Sequence, residues 1–434
     1  MSAIPNPSTS ALNPGVKRRE VFAWAMYDFA NSGYTTVVLT AVFNAYFVSV
    51  IAANTTWATF AWTATLAVSY AMVMIAGPFI GAYADVSGKK KPLLFIFTAG
   101  CVISTALLAY SGPGTLLWAM VFIVISNFCY AMGENITAAF LPELARPEAL
   151  GKVSGWGWSL GYTGGLAALG LSLAWIMNAE SRGVKSAEAV PATLLITAAV
   201  FAIAASITFT FLKERAKPSG AQHGAHAAFA RLLQTAREAA RYRDLFLVFA
   251  CGACYQAGVA TVIVLAAIYA QQVMGFSTTD TLILVLMINV TAAIGAFSFG
   301  YLQDRVGKTR ALRITLLGWI VMVVMAWFAT TPPLFWAAAN LVGLCMGSSQ
   351  SAGRTLVAFF APPNRTAEMF GLFGVATRLA AILGPLTYGA VTWISGGNHR
   401  LAILLTGVFF VAALVILAYV KEERGRAAAL SALA

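Results

Sequence analysis

The chain has 434 residues, of which 59% are hydrophobic and 10% charged, with a formal net charge of +12 and a mean hydropathy of +0.77. A soluble domain carries about 25% charged residues, so composition excludes a soluble enzyme or nucleic-acid-binding module and indicates an integral membrane protein. Apolar stretches recur at the length of helices that cross ~30 Å of hydrocarbon with ~20 residues each, and strand-length alternation is missing, which excludes a β-barrel.

In chain order, residues 1–20 form a polar, Pro-containing tail without the short apolar core of a removable signal peptide. Hydropathy then predicts twelve spans, at 21–50, 57–84, 92–111, 115–141, 151–178, 190–212, 245–272, 279–302, 310–330, 333–360, 367–395 and 400–420. They group into a six-helix bundle over 21–212, a linker at 213–243, a second six-helix bundle over 244–420 and a tail at 421–434. The expected fold is all-α, integral to the membrane, with twelve transmembrane helices in two parallel repeats. Lys17, Arg18 and Arg19 precede the first span, Lys89, Lys90 and Lys91 follow the second, and Arg305, Lys308, Arg310 and Arg313 follow the eighth. The alternate loops hold Arg182, Lys185 and Arg400. This asymmetry places both termini in the cytoplasm of a multi-pass protein, with a bacterial inner membrane expected.

The first span, AWAMYDFANSGYTTVVLT, embeds Asp28, Asn31 and Tyr34 in an apolar segment. Asn127, Tyr130, Glu134 and Asn135 do the same in the fourth, Tyr255 and Gln256 in the seventh, Ser349, Gln350 and Arg354 in the tenth, and Arg378 in the eleventh. A charge at a helix centre costs ~2.5–3.5 kcal/mol on insertion scales, so each ionisable residue is a functional candidate by default. Alternatives stay open for all four. Arg354 either serves a gate near its helix end or pairs with Asp304; Arg378 either meets a substrate anion or forms a structural ion pair; Asp28 binds an amine, carries a proton or braces a gate. Glu134 stands with Arg354 as a gate or structural pair.

Two loops repeat. GAYADVSGKKK begins at Gly81 and GYLQDRVGKTR at Gly300, so that Gly81 and Gly300, Asp85 and Asp304, Gly88 and Gly307, and Lys89 and Lys308 are each 219 residues apart; Arg146 and Arg365, Gly155 and Gly374, Gly165 and Gly384, and Gly170 and Gly389 keep the same offset. An even number of spans per repeat gives both halves one orientation, related by an axis along the membrane normal. The loop aspartates suit the free N–H groups and positive dipole of a facing helix start, a latch that a conformational cycle must break. In the fifth span Gly151, Gly155, Gly157, Gly161, Gly164 and Gly165 recur at the spacing that permits close helix contact. The linker holds His223 and His226, read as linker residues, and AFARLLQTAREAARYR, read as an interfacial helix. Cys251 and Cys254 have CxxC spacing inside a span and are read as packing.

The paired loops and the six-plus-six repeat resemble the major facilitator superfamily. YDFANS, the stretch LPELA through GYTGG at 141–165, and GRTLVAFFAPPNRTAEMFGLFG at 353–374 resemble the subfamily of autophagy-related vacuolar amino-acid effluxers and their bacterial relatives. The resemblance covers nearly the whole membrane region and implies the major facilitator fold, alternating access and, more weakly, amino-acid export. Three positions depart from its pattern: Gln256 stands where relatives often carry Asp, Gly353 where Ser is usual, and Arg378 where Lys is common. In such an architecture spans 1, 4, 7 and 10 wall the cavity. No Walker loop, HExxH, GxSxG or metal cluster occurs, so neither an enzyme nor an ATP-driven pump is expected, and no cofactor or metal. A secondary transporter of small polar or zwitterionic solutes, amino acids or a related metabolite first, is the favoured reading. It is expected to act as a monomer in the lipid bilayer, with protons as an open co-substrate and no nucleic-acid partner. A proton-driven multidrug exporter is the alternative.

Overall fold

The computed structural model describes residues 11–52, 57–215, 234–235, 241–276 and 278–431. Among these residues twelve long helices form, each within a few residues of its expected span: α1 (Arg18–Ile51), α2 (Ala58–Ser87), α3 (Lys90–Leu107), α4 (Leu116–Ala138), α5 (Leu150–Ser181), α6 (Ser186–Phe211), α7 (Arg243–Gln272), α8 (Thr278–Val306), α9 (Lys308–Phe328), α10 (Pro332–Phe360), α11 (Thr366–Ile394) and α12 (His399–Ala418). A short α13 (Glu422–Leu430) follows. Eleven are long and apolar enough to cross a membrane; α10 falls short of that measure because Gly-Ser-Ser-Gln-Ser-Ala-Gly-Arg occupies its second half. The expected interfacial helix and both linker histidines lie outside the described residues.

Helix α1 is not the uniform span expected. It is α-helical to Tyr34, then makes π turns over Thr35–Ala41 and again over Phe47–Ile51. Wide i→i+5 bonds run from the Val42 N–H to the Val37 carbonyl and from the Ala52 N–H to the Phe47 carbonyl. The run Thr35-Thr36-Val37-Val38 is β-branched and a poor former of regular α-helix, and π turns concentrate where a helix meets a functional site.

The two halves pack alike: α1 lies against α5 and α6 as α7 lies against α11 and α12, and α2 against α4 as α8 against α10. They meet through α2–α11 and α5–α8. Glycine makes those crossings close. A Cβ on Gly81 would run into the Ala367 carbonyl, and one on Gly155 into the Ala296 carbonyl and Gly300. Other α5 glycines, Gly161, Gly164 and Gly165, face α1 instead, so this helix is a small-residue hinge surface toward both neighbours.

At one end of the bundle the repeated loops tie each half to the other. Asp304 accepts the Gly151 and Lys152 N–H groups at 3.0 and 2.7 Å, and Asp85 accepts the Glu368 N–H at 2.9 Å. Each carboxylate thus caps a helix of the opposite half, α5 and α11, where dipole and free N–H favour it. The lysine beside Asp85 is Lys90, 3.5 Å away and 2.9 Å from Glu143; Lys89, the residue singled out by the repeat, is exposed. Lys308 does approach Asp304, at 4.0 Å. Gly88 and Gly307 have φ of 65° and 98°, the left-handed region glycine occupies without strain.

A second repeat escaped the constant offset. Lys213-Glu214-Arg215 and Lys421-Glu422-Glu423-Arg424 differ by one inserted residue, yet do the same work within each half. Glu214 accepts the Lys91 N–H at 2.6 Å and Glu422 the Thr309 N–H at 2.7 Å, capping α3 and α9. Arg215 pairs with Glu20 at the start of α1 (2.6 Å), and Arg424 with Asp244 at the start of α7 (2.7 Å). Glu422→Ala is expected to remove about 1–2 kcal/mol of stability, as loss of a charged cap does, and thermal unfolding of the purified protein checks it against Glu214→Ala, its counterpart.

Candidate functional site

Between the halves lies a cavity of about 390 Å³, within the range of small-molecule sites. Along α1 its lining runs from Asp28 through Asn31, Ser32, Thr35 and Thr36 to Thr40 and Ala41. The last two are exposed, at the end opposite the latched loops. The first π stretch of α1, Thr35–Ala41, therefore forms part of one cavity wall and presents its threonines to it. The cavity opens away from the termini and is floored toward them.

Four charges line the cavity toward that end, and they form two ion pairs. Arg354 grips Asp28 with two parallel hydrogen bonds, 2.5 and 2.8 Å, and both side chains are buried. The guanidinium also faces the rings of Trp24 (5.2 Å) and Trp158 (4.8 Å). Asp28 is thus not an unpaired carboxylate, and Arg354 does not pair with Asp304, which is spent on the α5 start. A Cβ on Gly157 would strike Asp28 and Trp24, so this glycine makes room for the pair. Arg378 meets Glu134 at 3.0 Å and lies over Tyr70 and Tyr130. In both pairs the carboxylate belongs to the first half and the arginine to the second.

The halves reach this asymmetry from equivalent positions. Tyr27 on α1 fits over Gly133 on α4, and Tyr255 on α7 over Gly353 on α10; a Cβ on either glycine would meet the tyrosine oxygen. Asp28 is therefore matched by Gln256, and Glu134 by Arg354. The departures at 256 and 353 acquire physical reasons here. Gln256 and Gln350 hold each other through reciprocal amide bonds of 2.8 and 3.4 Å, and a serine at 353 would collide with Tyr255.

Tyr130, Glu134, Tyr255, Gln256, Gln350, Arg354 and Arg378 all line the cavity with Asp28 and Asn31. Two expected contacts do not. Tyr34 is fully buried and bonds Ser126 at 2.8 Å, and Asn127 is fully buried and bonds Ser69 at 3.0 Å; both side chains join helices within the first bundle. Wall residues that the sequence does not single out are Trp158, Tyr162 and Asn289. For the first two a signal existed: they are four apart in GWGWSLGY, beside the glycine face that seats α5 on α1. Cys251 and Cys254 are free thiols, and Cys251 contacts the Ala413 carbonyl, as packing residues do.

The walls differ in chemistry. The first half contributes carboxylates, hydroxyls and amides, whereas much of the second half's wall is Val259, Val262, Ile263, Ile288, Val342, Met346, Phe370 and Phe373. Several buried polar atoms of lining residues lack hydrogen-bond partners among the described residues: the Asn31 Oδ1 acceptor and the donors Trp158 Nε1, Asn135 Nδ2 and Arg378 Nε. Buried groups of this kind cost free energy until something completes them, so donors and acceptors both stand ready here. No cluster of metal ligands occurs among the described residues.

The family model described as "Vacuole effluxer Atg22 like" matches residues 44–430. The uncharacterized MFS-type transporter YxiO of Bacillus subtilis (strain 168) is 30% identical over 406 residues, 92% of this chain and 94% of that one. Among solved structures, the human organic anion transporter MFSD10 superimposes with a TM-score of 0.71 at 17% identity, covering 92% of this chain and 99% of that one. The MFS proton:xylose symporter XylE gives 0.70 at 15%, covering 96% and 97%.

Proposed function

Because the chain belongs to the Atg22-like family of MFS-type transporters, and is thus a multi-pass membrane carrier rather than an enzyme, we propose that it moves small zwitterionic solutes, amino acids first, by alternating access about the central cavity. The observation that carries this reading is the cavity's balanced polarity: two carboxylates face two arginines at its floor, and unpartnered donors and acceptors stand beside them. An ammonium finds the Asn31 Oδ1 and the Asp28 carboxylate, a carboxylate finds Trp158 and the arginines, and an apolar side chain faces the second half. The latched end carries the termini and most of the lysines and arginines, so we place it in the cytoplasm. The structure then represents the carrier closed inward and open outward. The multidrug alternative draws support from the apolar wall, but the paired arginines oppose a lipophilic cation.

Thermal unfolding of the purified protein with a panel of amino acids tests this. A ligand at a hundred times its Kd stabilises by about 2.7 kcal/mol. Shifts with neutral amino acids are expected; a panel silent for amino acids but positive for cationic dyes would transfer the site to the multidrug reading. Asn31→Leu is expected to raise KM for a shifting solute about tenfold, the value of one charged hydrogen bond, without lowering the melting temperature of the empty protein, because its Oδ1 has no partner to lose. Repeating transport across pH tests protons as a co-substrate.

A further inference from the structure

We infer that the carrier is an obligatory exchanger: empty, it cannot pass between its outward-open and inward-open states, and a solute must be aboard for each crossing. The inference rests on the transport reading above for its solute, and on the geometry of the two floor pairs for its lock.

Both pairs span the halves. Arg354 of α10 holds Asp28 of α1, and Arg378 of α11 holds Glu134 of α4. Both line the cavity toward its latched end. Opening that end must draw α1 from α10 and α4 from α11, so both pairs break in the same stroke. With every carboxylate in one half and every arginine in the other, neither half can re-pair its own charges. The equivalent positions confirm the lack of a substitute. Gln256 occupies the second-half site of Asp28 and is held by Gln350, so no acid at that position of α7 takes over Arg354. Gln and Asn neighbours solvate a charge poorly by comparison with its partner. Removing the partner of a buried charge costs roughly a hundredfold or more in equilibrium population; the stroke strips two such charges, Asp28 and Arg354, and parts the half-buried Glu134 and Arg378 as well. A solute with a cationic and an anionic group replaces both partners as they separate; one with a single charge replaces one. The empty carrier stays where it is.

The consequence is a difference between net flux and exchange. In proteoliposomes loaded with radiolabelled leucine, release into medium containing unlabelled leucine is expected to exceed release into solute-free medium by at least tenfold at one fixed pH on both sides. Leucine amide and 4-methylpentanoate, which each lack one charge, are expected not to drive exchange. Equal release into both media overturns the inference while leaving the transport reading intact. No release and no binding of any amino acid removes the transport reading, and the lock is then decided without a solute. Ser154 of α5 is fully buried and bonds the Ser351 carbonyl across the halves at 3.0 Å, on the latched side of the floor. In Ser154→Cys, alkylation by a polar maleimide in the absence of solute is expected to be slow. Adding Asp28→Asn and Arg354→Gln together, which leaves no stranded charge at that pair, is expected to raise the rate at least tenfold over Ser154→Cys alone. Fast alkylation in the unaltered background, or no acceleration in the double replacement, overturns the lock. If that chain fails to fold, Glu134→Gln with Arg378→Gln gives the same readout at the second pair.

Discussion

Arg354→Gln is expected to lower the stability of the purified carrier by about 3–5 kcal/mol, the largest single-residue loss this molecule should show outside its apolar core. The magnitude follows from what stays behind. Asp28 is buried and takes both of its short bonds from this guanidinium; without them an uncompensated carboxylate remains between Trp24 and Gly157, and that is the costly case. The lost stacking on Trp24 and Trp158 adds to it. Asp28→Asn is expected to cost a comparable amount by stranding the arginine. The double replacement should recover most of either loss, because a buried pair exchanged for neutral groups is often close to neutral overall. Thermal or denaturant unfolding of the four proteins forms a double-mutant cycle with a coupling of several kcal/mol. Additive losses would show that the two side chains do not depend on each other.

The all-helical membrane fold and the repeated loops were legible in the sequence because each rests on a local or periodic signal. Hydropathy reports lipid contact one helix at a time, and a constant offset of 219 survives wherever no residue has been inserted. Where one has, as between Lys213-Glu214-Arg215 and Lys421-Glu422-Glu423-Arg424, the repeat disappears from a fixed-offset reading although both copies cap helices and clamp helix starts. The π turns of α1 were illegible for a different reason. Period 3.6 and a wider turn bury much the same residues over one or two turns, and the β-branched run only weakens the α form. The pairings were the least accessible. Arg354 and Asp28 are 326 residues apart, and nothing in the sequence ranks Asp28 above Asp304 as its partner. Choosing between them takes the knowledge that Asp304 is already engaged by two backbone N–H groups of α5. Tyr34 and Asn127 show the same limit: helical position tells which residues share a face, but not whether that face looks inward to a cavity or sideways to Ser126 and Ser69.

Gly81→Leu is expected to hold the carrier away from the arrangement described here and to cut transport at least tenfold. Gly81 sits where α2 crosses the start of α11, and even a Cβ there would overlap the Ala367 carbonyl and the Glu368 Cα. A flexible neighbour can give way, but here the obstructing atoms are backbone, so α2 and α11 must part. Parting them pulls Asp85 from the Glu368 N–H it caps, 2.9 Å away, and loosens the latch at one of its two points. The expected sign is specific: polar-maleimide labelling of Ser154→Cys should rise in the Gly81→Leu background, because the substituted crossing is on the latched side. A leucine at Gly170, which has open space around its ideal Cβ, is the control for bulk alone and should leave labelling unchanged. The second crossing gives an internal comparison, since a Cβ on Gly155 meets the Ala296 carbonyl in the same way. If both substitutions raise labelling and Gly170→Leu does not, the two halves separate at the latched end about both crossings. If Gly81→Leu slows transport without any change in labelling, the α2–α11 contact is not part of the closure.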